Sequence, residues 1–243
     1  TRQAVISAMI YPTVLLATGI ISVVLLLVFV VPQFAAMFED AGTDIPPSAA
    51  FLLSLSTFIQ SYGYLFIVAI VLCIFFWKRL DKDPKTKQQK DRFLLSMPLL
   101  GTLILYRECA IFARTLGALV GAGIPLIRSL RVSREVISNS VLTGRLLQVE
   151  EDVRGGAGLG ISLEKTNQFP TLLHQLVAVG EESGRTSDIL LKSAVTFDTY
   201  VRNQMSALVS ALQPALIIFL AIAVGGITIT MLSAVFSMNA VEF

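Results

Sequence analysis

The sequence predicts an all-α membrane protein with three transmembrane helices and one cytoplasmic antiparallel helical bundle of about six helices. Three observations predict it. Hydrophobic residues make up 54% of the 243 residues and charged residues only 15%, where soluble domains carry about 25% charged. All nineteen Lys and Arg lie at Arg2 or between Lys78 and Arg202, leaving residues 3–77 and 203–243 without a positive charge. The only charges in those two stretches are Glu39, Asp40, Asp44 and Glu242. A globular surface mixes both signs, whereas this segregation is what a membrane topology produces.

The elements follow in chain order. The chain opens at Thr1 with no start methionine and no signal-peptide pattern, so residues 1–7 read as the end of a truncated first cytoplasmic domain. Crossing a hydrocarbon core of about 30 Å takes roughly 20 apolar residues. Residues 8–32 supply the first span, rich in Leu, Ile and Val, with Pro12 near its start and Pro32 at its close. Residues 33–60 form a periplasmic loop, in which Pro46-Pro47 after Gly42 marks a turn. The second span, residues 61–77, ends in an aromatic cluster against Lys78 and Arg79. Its start leaves two alternatives: the helix begins back at Ser48, or residues 51–60 lie at the interface.

Residues 78–92 form a basic linker, with seven positive charges against Asp81, Asp83 and Asp91. It reads as solvated, with anionic lipid of the inner leaflet as the alternative. Cytoplasmic loops carry the excess of Lys and Arg near membrane ends. The linker and the domain after it are therefore inside, and the periplasmic loop and C-terminal tail outside.

Residues 93–211 read as the cytoplasmic helical domain. Arg107, Arg114, Arg128, Arg131 and Arg134 alternate with apolar residues at three-to-four spacing, an amphipathic helical pattern. Gly121-Ala-Gly123-Ile-Pro125 is a break, with Gly suited to the left-handed position past a helix end and Pro to the first turn of the next. A helix is expected from Asn139 to Val153, then a Gly-rich loop at residues 155–160 with Ser162 as the following cap. Phe169-Pro170 opens a helix reaching Val179, and Gly180 and Gly184 bracket a tight turn. Ser187 is placed to cap the last helix, with Asp188 at its positive end. That helix is expected to run unbroken from Ile189 into the third span, residues 212–236, before a periplasmic tail at 237–243. A repeat supports duplication: RQAVISAMIYPTVLL from Arg2 and QMSALVSALQPALII from Gln204 align when Pro12 is set against Pro214.

Chemistry is sparse. The run GGAGLG (residues 155–160) lacks the Lys and Ser/Thr of a phosphate loop. Glu181 and Glu182 are adjacent and diverge by about 100° on a helix, so they form no acid–base pair, and calcium needs six or more oxygens. His174 has no Cys or His nearby, and Cys73 and Cys109 imply neither a disulfide nor a metal cluster. No cofactor or metal is expected. Asp, Glu, Lys, Arg and His are absent from all three spans, although pumps and ion-coupled transporters keep such groups there. Ser, Thr and Gly instead favour close helix packing and a homo-oligomer. A membrane enzyme would need paired Asp or a Ser/His arrangement in the spans, and neither occurs.

Several motifs, read in order, resemble the type II secretion system F family of inner-membrane platform proteins, shared by type II secretion and type IV pilus machines. They are Tyr11-Pro12, FVVPQF from Phe29, Met37-Phe38, Gly42 and Ile45-Pro46. Inside the domain they are FARTL from Phe112, GIPL from Gly123, Phe169-Pro170 and GEESG from Gly180; Gln213-Pro214 opens the last span, where the family often has Glu-Pro. The resemblance implies a non-enzymatic scaffold that anchors the cytoplasmic assembly ATPase and couples it to extension of a pilus or pseudopilus. The implied partners are that ATPase, other platform components, pilins or pseudopilins, and membrane lipid, with no nucleic acid. Arg114, Arg128, Arg131, Arg134, Glu181 and Glu182 are the residues expected to supply polar contacts to the ATPase. The competing function is a transporter or channel subunit.

Overall fold

The computed structural model describes residues 2–33, 36, 47–79 and 83–239, and these are almost entirely α-helical. The helices are α1 (Arg2–Leu25), continued by a π-helical turn over Leu26–Val30, α2 (Pro47–Arg79), α3 (Pro84–Ser96) and α4 (Leu100–Gly121). They are followed by α5 (Leu126–Glu135), α6 (Ser140–Arg154), α7 (Leu159–Lys165), α8 (Thr171–Glu182) and α9 (Thr186–Asn239). The Pro46 turn and residues 240–243 of the tail lie outside the described residues. The chain divides into two compact units, Phe76–Met205 and Arg2–Phe75 with Ser206–Phe243.

In the second unit the helices turn apolar side chains outward. Ile222 and Ile229 on α9 are each 70% exposed, and Phe29 is 62% exposed. Such surfaces are stable only in an apolar solvent. Thr13–Gln33 and Thr186–Ser233 are long and apolar enough to cross a membrane. α2 is thirty-three residues long, about 50 Å at 1.5 Å per residue, and carries no charge before Lys78. Three hydroxyls of the first and third spans donate inside their own helices: Thr18 Oγ1 to the Val14 carbonyl, Ser22 Oγ to Thr18, and Thr228 Oγ1 to Val224. A small core of Leu27, Val31 and Ile227 holds this unit together. Gly19 lies so close to Leu220 that an added Cβ would sit 2.5 Å from its side chain. Small residues thus allow close approach at one crossing, while Gly225 and Gly226 face open space.

The π turn was not foreseen. A π turn leaves carbonyls without their usual partner four residues on; here Ser56 Oγ donates to the Leu27 carbonyl (2.5 Å) and Gln60 Nε2 to the Val28 carbonyl (3.2 Å). Two polar side chains one turn apart on α2 thus reach the carbonyls of the π turn and tie α2 to it.

The first unit is a helical bundle around Phe112, Leu116, Leu130, Leu146, Leu173 and Phe197, all buried. Tyr106 stacks on Tyr200 (4.2 Å between ring centroids) and meets Phe197 edge-on (5.5 Å). Part of the expected solvated linker is instead helix α3: Asp83 Oδ1 accepts from the Lys85 amide, Pro84 opens the first turn, and Asp91 is buried. Leu95 of this helix packs against the bundle core, a contact that the surrounding basic residues concealed in the sequence. Between α3 and α4 the chain bends by 109°, with Leu99 at φ 68.

Burial, and then the neighbouring Glu108 carboxylate, push the Cys109 thiol well above the ordinary range. Burial likewise raises Tyr106, with Tyr200 and Cys109 adding to it. The folded state therefore keeps a thiol proton that the unfolded chain releases from about pH 8.5, so stability is full below that pH and falls as pH rises. The expected slope approaches about 1.4 kcal/mol per pH unit above pH 8.5. Thermal unfolding at pH 7.5 and 9.5 measures it, and Cys109→Ala removes the thiol's share.

Candidate partner interface

The domain's helix starts decide which charges are free. Four orphan amides open every helix, and here carboxylates from other helices satisfy several of them. Asp91 Oδ2 accepts from the Ser140 amide (2.7 Å) and hydroxyl (2.6 Å), while Asn139 Oδ1 caps the same end of α6 by accepting from Val141 and Leu142. Glu108, buried in the bundle, accepts from the Ser138 amide at 3.0 Å. Glu181, at the end of α8, accepts from both opening amides of α7: Leu159 at 2.6 Å and Gly160 at 2.8 Å.

This last contact explains the Gly-rich run. It does present helix-opening amides to an anion, and the anion is the protein's own Glu181. Gly156 takes φ 94, Gly158 occupies the cap position, and an added Cβ on Gly160 would lie 2.8–2.9 Å from Ala178. Ser162 is therefore not the cap; it lies inside α7 and its hydroxyl donates to the Gly158 carbonyl. Ser187 is not a cap either: α9 begins at Thr186, and the Ser187 hydroxyl donates across to the Gly117 carbonyl on α4 at 2.8 Å. Pro125 stands at the cap position of α5, one residue before its first turn, and Gly123 has φ 80 as expected. Gly180 continues α8, which ends at Glu182, so the turn is made by Gly184 at φ 66.

Of the six residues expected to face a partner, the structure brings two together. Arg131 and Arg134 on α5 converge on Glu150 of α6, and Arg154, one turn beyond Glu150, joins them. The distances are 3.3 Å from Arg131 Nε and 3.0 Å from Arg154 Nη2 to Glu150 Oε1, and 3.4 Å from Arg134 Nε to Oε2. The last pair is in ionic contact without hydrogen-bond alignment. Glu150 is buried, its side chain 4% exposed, whereas Arg131 and Arg154 are more than half exposed. One carboxylate beneath three guanidiniums leaves an excess of two positive charges on an outward face. Arg128, a turn before Arg131, is exposed and makes no ion pair among the described residues.

Arg114 is elsewhere, paired with Asp198 of α9. Glu181 is occupied as a cap, and Glu182 is exposed beside it. Glu150 and Arg154 escaped sequence reasoning. Their i,i+4 spacing was visible, but nothing local shows that α5 and α6 pack side by side. No group of three or more His, Cys, Asp or Glu able to hold a metal occurs among the described residues.

The family described as "Type II secretion system (T2SS), protein F" matches residues 112–234. The chain is similar to the type IV pilus assembly protein TapC of Aeromonas hydrophila, 30% identical over 239 residues, covering 98% of this chain and 58% of that protein. It is 32% identical over 240 residues to type II secretion system protein F of Pseudomonas aeruginosa, covering 98% and 59%. It is 31% identical over 233 residues to the type IV pilus assembly protein PilC of Pseudomonas aeruginosa, covering 96% and 62%. The chain thus spans about three fifths of the length of these curated relatives.

Proposed function

The chain belongs to the type II secretion system protein F family, and from that premise we propose that it works as a platform on which a cytoplasmic assembly ATPase docks and drives pilus or pseudopilus extension. It is a multi-pass inner-membrane protein whose large helical domain faces the cytoplasm. The proposed spans are residues 8–32, 61–77 and 212–236; α2 extends well beyond the second, so its outer turns continue into the periplasmic side. The role is scaffolding rather than catalysis. Relatives named for pilus assembly and for type II secretion support both machines equally. Pilins or pseudopilins, other platform components and a second copy of the chain are further proposed partners.

The observation that carries the docking reading is the arginine face of α5 and α6. Surplus positive charge held by a buried Glu150 presents pre-oriented guanidiniums, which bind carboxylates in a bidentate manner. Arg128 and Arg131 lead this contact and Arg134 and Arg154 frame it; Arg114, paired with Asp198, and Glu182, at the end of α8, are proposed as separate polar contacts, and Glu181 contributes by holding α7. In a pull-down with the whole protein in detergent, Arg128→Glu with Arg131→Gln is expected to weaken ATPase binding at least about tenfold, since each lost charge pair is worth roughly 1 kcal/mol. Binding of the wild type falls with added salt. Unchanged binding by a variant that unfolds at the wild-type temperature sinks the reading.

A further inference from the structure

We propose that the cleft between α3 and α6 binds the phosphodiester of an anionic lipid headgroup, a site independent of the ATPase reading. The cleft has a volume of about 230 Å³ and is lined by Gln88 and Arg92 from α3 and by Ser140, Gly144, Arg145 and Gln148 from α6. Two guanidiniums flank it and no carboxylate lines it. The nearest acid in sequence, Asp91, is buried and committed to Ser140. Arg145 Nη1 donates to Gln148 Oε1 at 3.1 Å, which holds that guanidinium at the cleft and leaves the amide's NH₂ as a further donor. Gly144 contributes the open space, because an added Cβ there meets nothing within 4 Å. Two arginine forks and two side-chain amides are the donor set a phosphate takes. The adjoining cleft, by contrast, is lined by Glu151 and Asp152 against Lys165, a net negative lining that disfavours an anion.

The chain itself favours lipid over a soluble phosphate. Only four residues separate Arg79, which closes α2, from Pro84, which opens α3, a reach of at most about 18 Å. α3 is thus tethered to the inner end of a membrane-crossing helix. Its exposed residues Lys85, Gln88, Gln89, Arg92, Phe93 and Ser96 combine basic and amide side chains with one aromatic ring. Phe93, the neighbour of Arg92 on α3, is 58% exposed. An apolar edge next to cationic groups matches the boundary between headgroups and acyl chains.

The test uses the whole protein in detergent and fluorescent phosphatidylglycerol, with phosphatidylcholine as the neutral probe and inorganic phosphate as the soluble competitor. Phosphatidylglycerol is expected to bind preferentially, and Arg92→Gln with Arg145→Gln to weaken it roughly thirty-fold, about fivefold per charge removed. Gly144→Leu fills the cleft without altering charge and is expected to weaken binding comparably, so it decides the matter if the double variant fails to fold. Lys85→Gln, on the same helix but outside the cleft, changes binding less than about twofold. Three results overturn the site: full binding by both cleft variants, equal loss with Lys85→Gln, which marks diffuse attraction, or displacement by millimolar phosphate without preference between the lipids, which marks a free-anion site.

Discussion

Replacing Glu181 with alanine is expected to destabilise the cytoplasmic bundle by about 3–5 kcal/mol, a large part of the 5–15 kcal/mol that holds a domain. Its carboxylate accepts two short bonds from the Leu159 and Gly160 amides, and both of those residues are buried. Each hydrogen bond to a charged acceptor contributes about 1.5–3 kcal/mol, and a buried donor left unpaired bears its full desolvation cost. The negative charge also sits at the positive end of α7. Glu182, its exposed neighbour, is the control: Glu182→Ala should stay within about 0.5 kcal/mol. Denaturant unfolding of the protein in detergent measures both, and hydrogen exchange at the Leu159 and Gly160 amides reports the local opening. Indistinguishable Glu181 and Glu182 variants would refute the capping role.

Gly160→Val is expected to destabilise the bundle by about 3 kcal/mol, the upper end for overpacking. The clash is with backbone: an added Cβ would lie 2.9 Å from the Ala178 amide nitrogen and Cα, as well as 2.8 Å from its Cβ. No rotamer relieves that, so α7 and α8 must separate, and the Glu181 cap, which bridges the same two helices, weakens with them. Gly144 offers the contrast. It lies in α6 facing open space, so Gly144→Ala should stabilise by about 0.5–1 kcal/mol through helix propensity. If the two glycine substitutions shift the unfolding midpoint in the same direction, the close α7–α8 crossing does not exist in solution.

These two residues show what the Gly-rich run does in place of the phosphate loop that its sequence excludes. Its helix-opening amides do receive an anion, which is the chemistry that a phosphate loop shares. The difference is the anion's source, a carboxylate twenty-two positions along the chain from Leu159. The same logic accounts for Asp91, forty-nine positions from Ser140. Read along the chain it is one more charge in a basic linker, and only its partner makes it a structural acid. The unbroken α9 and the left-handed Gly123, by contrast, were legible, because their signals are local.

Sequence alone determined the all-α class, the long apolar helices and the side of the membrane on which the bundle lies. Hydropathy and positive charge act residue by residue along the chain, and the bilayer reads them in that order. Tertiary structure decided which charges are spent inside the bundle and which are displayed. A carboxylate at 4% exposure beneath Arg131, Arg134 and Arg154, or one turned onto a distant helix start, exists only where packing brings separate helices together. Pair energies in the low-dielectric interior depend on that distance and burial, neither of which is written in the spacing of residues along the chain.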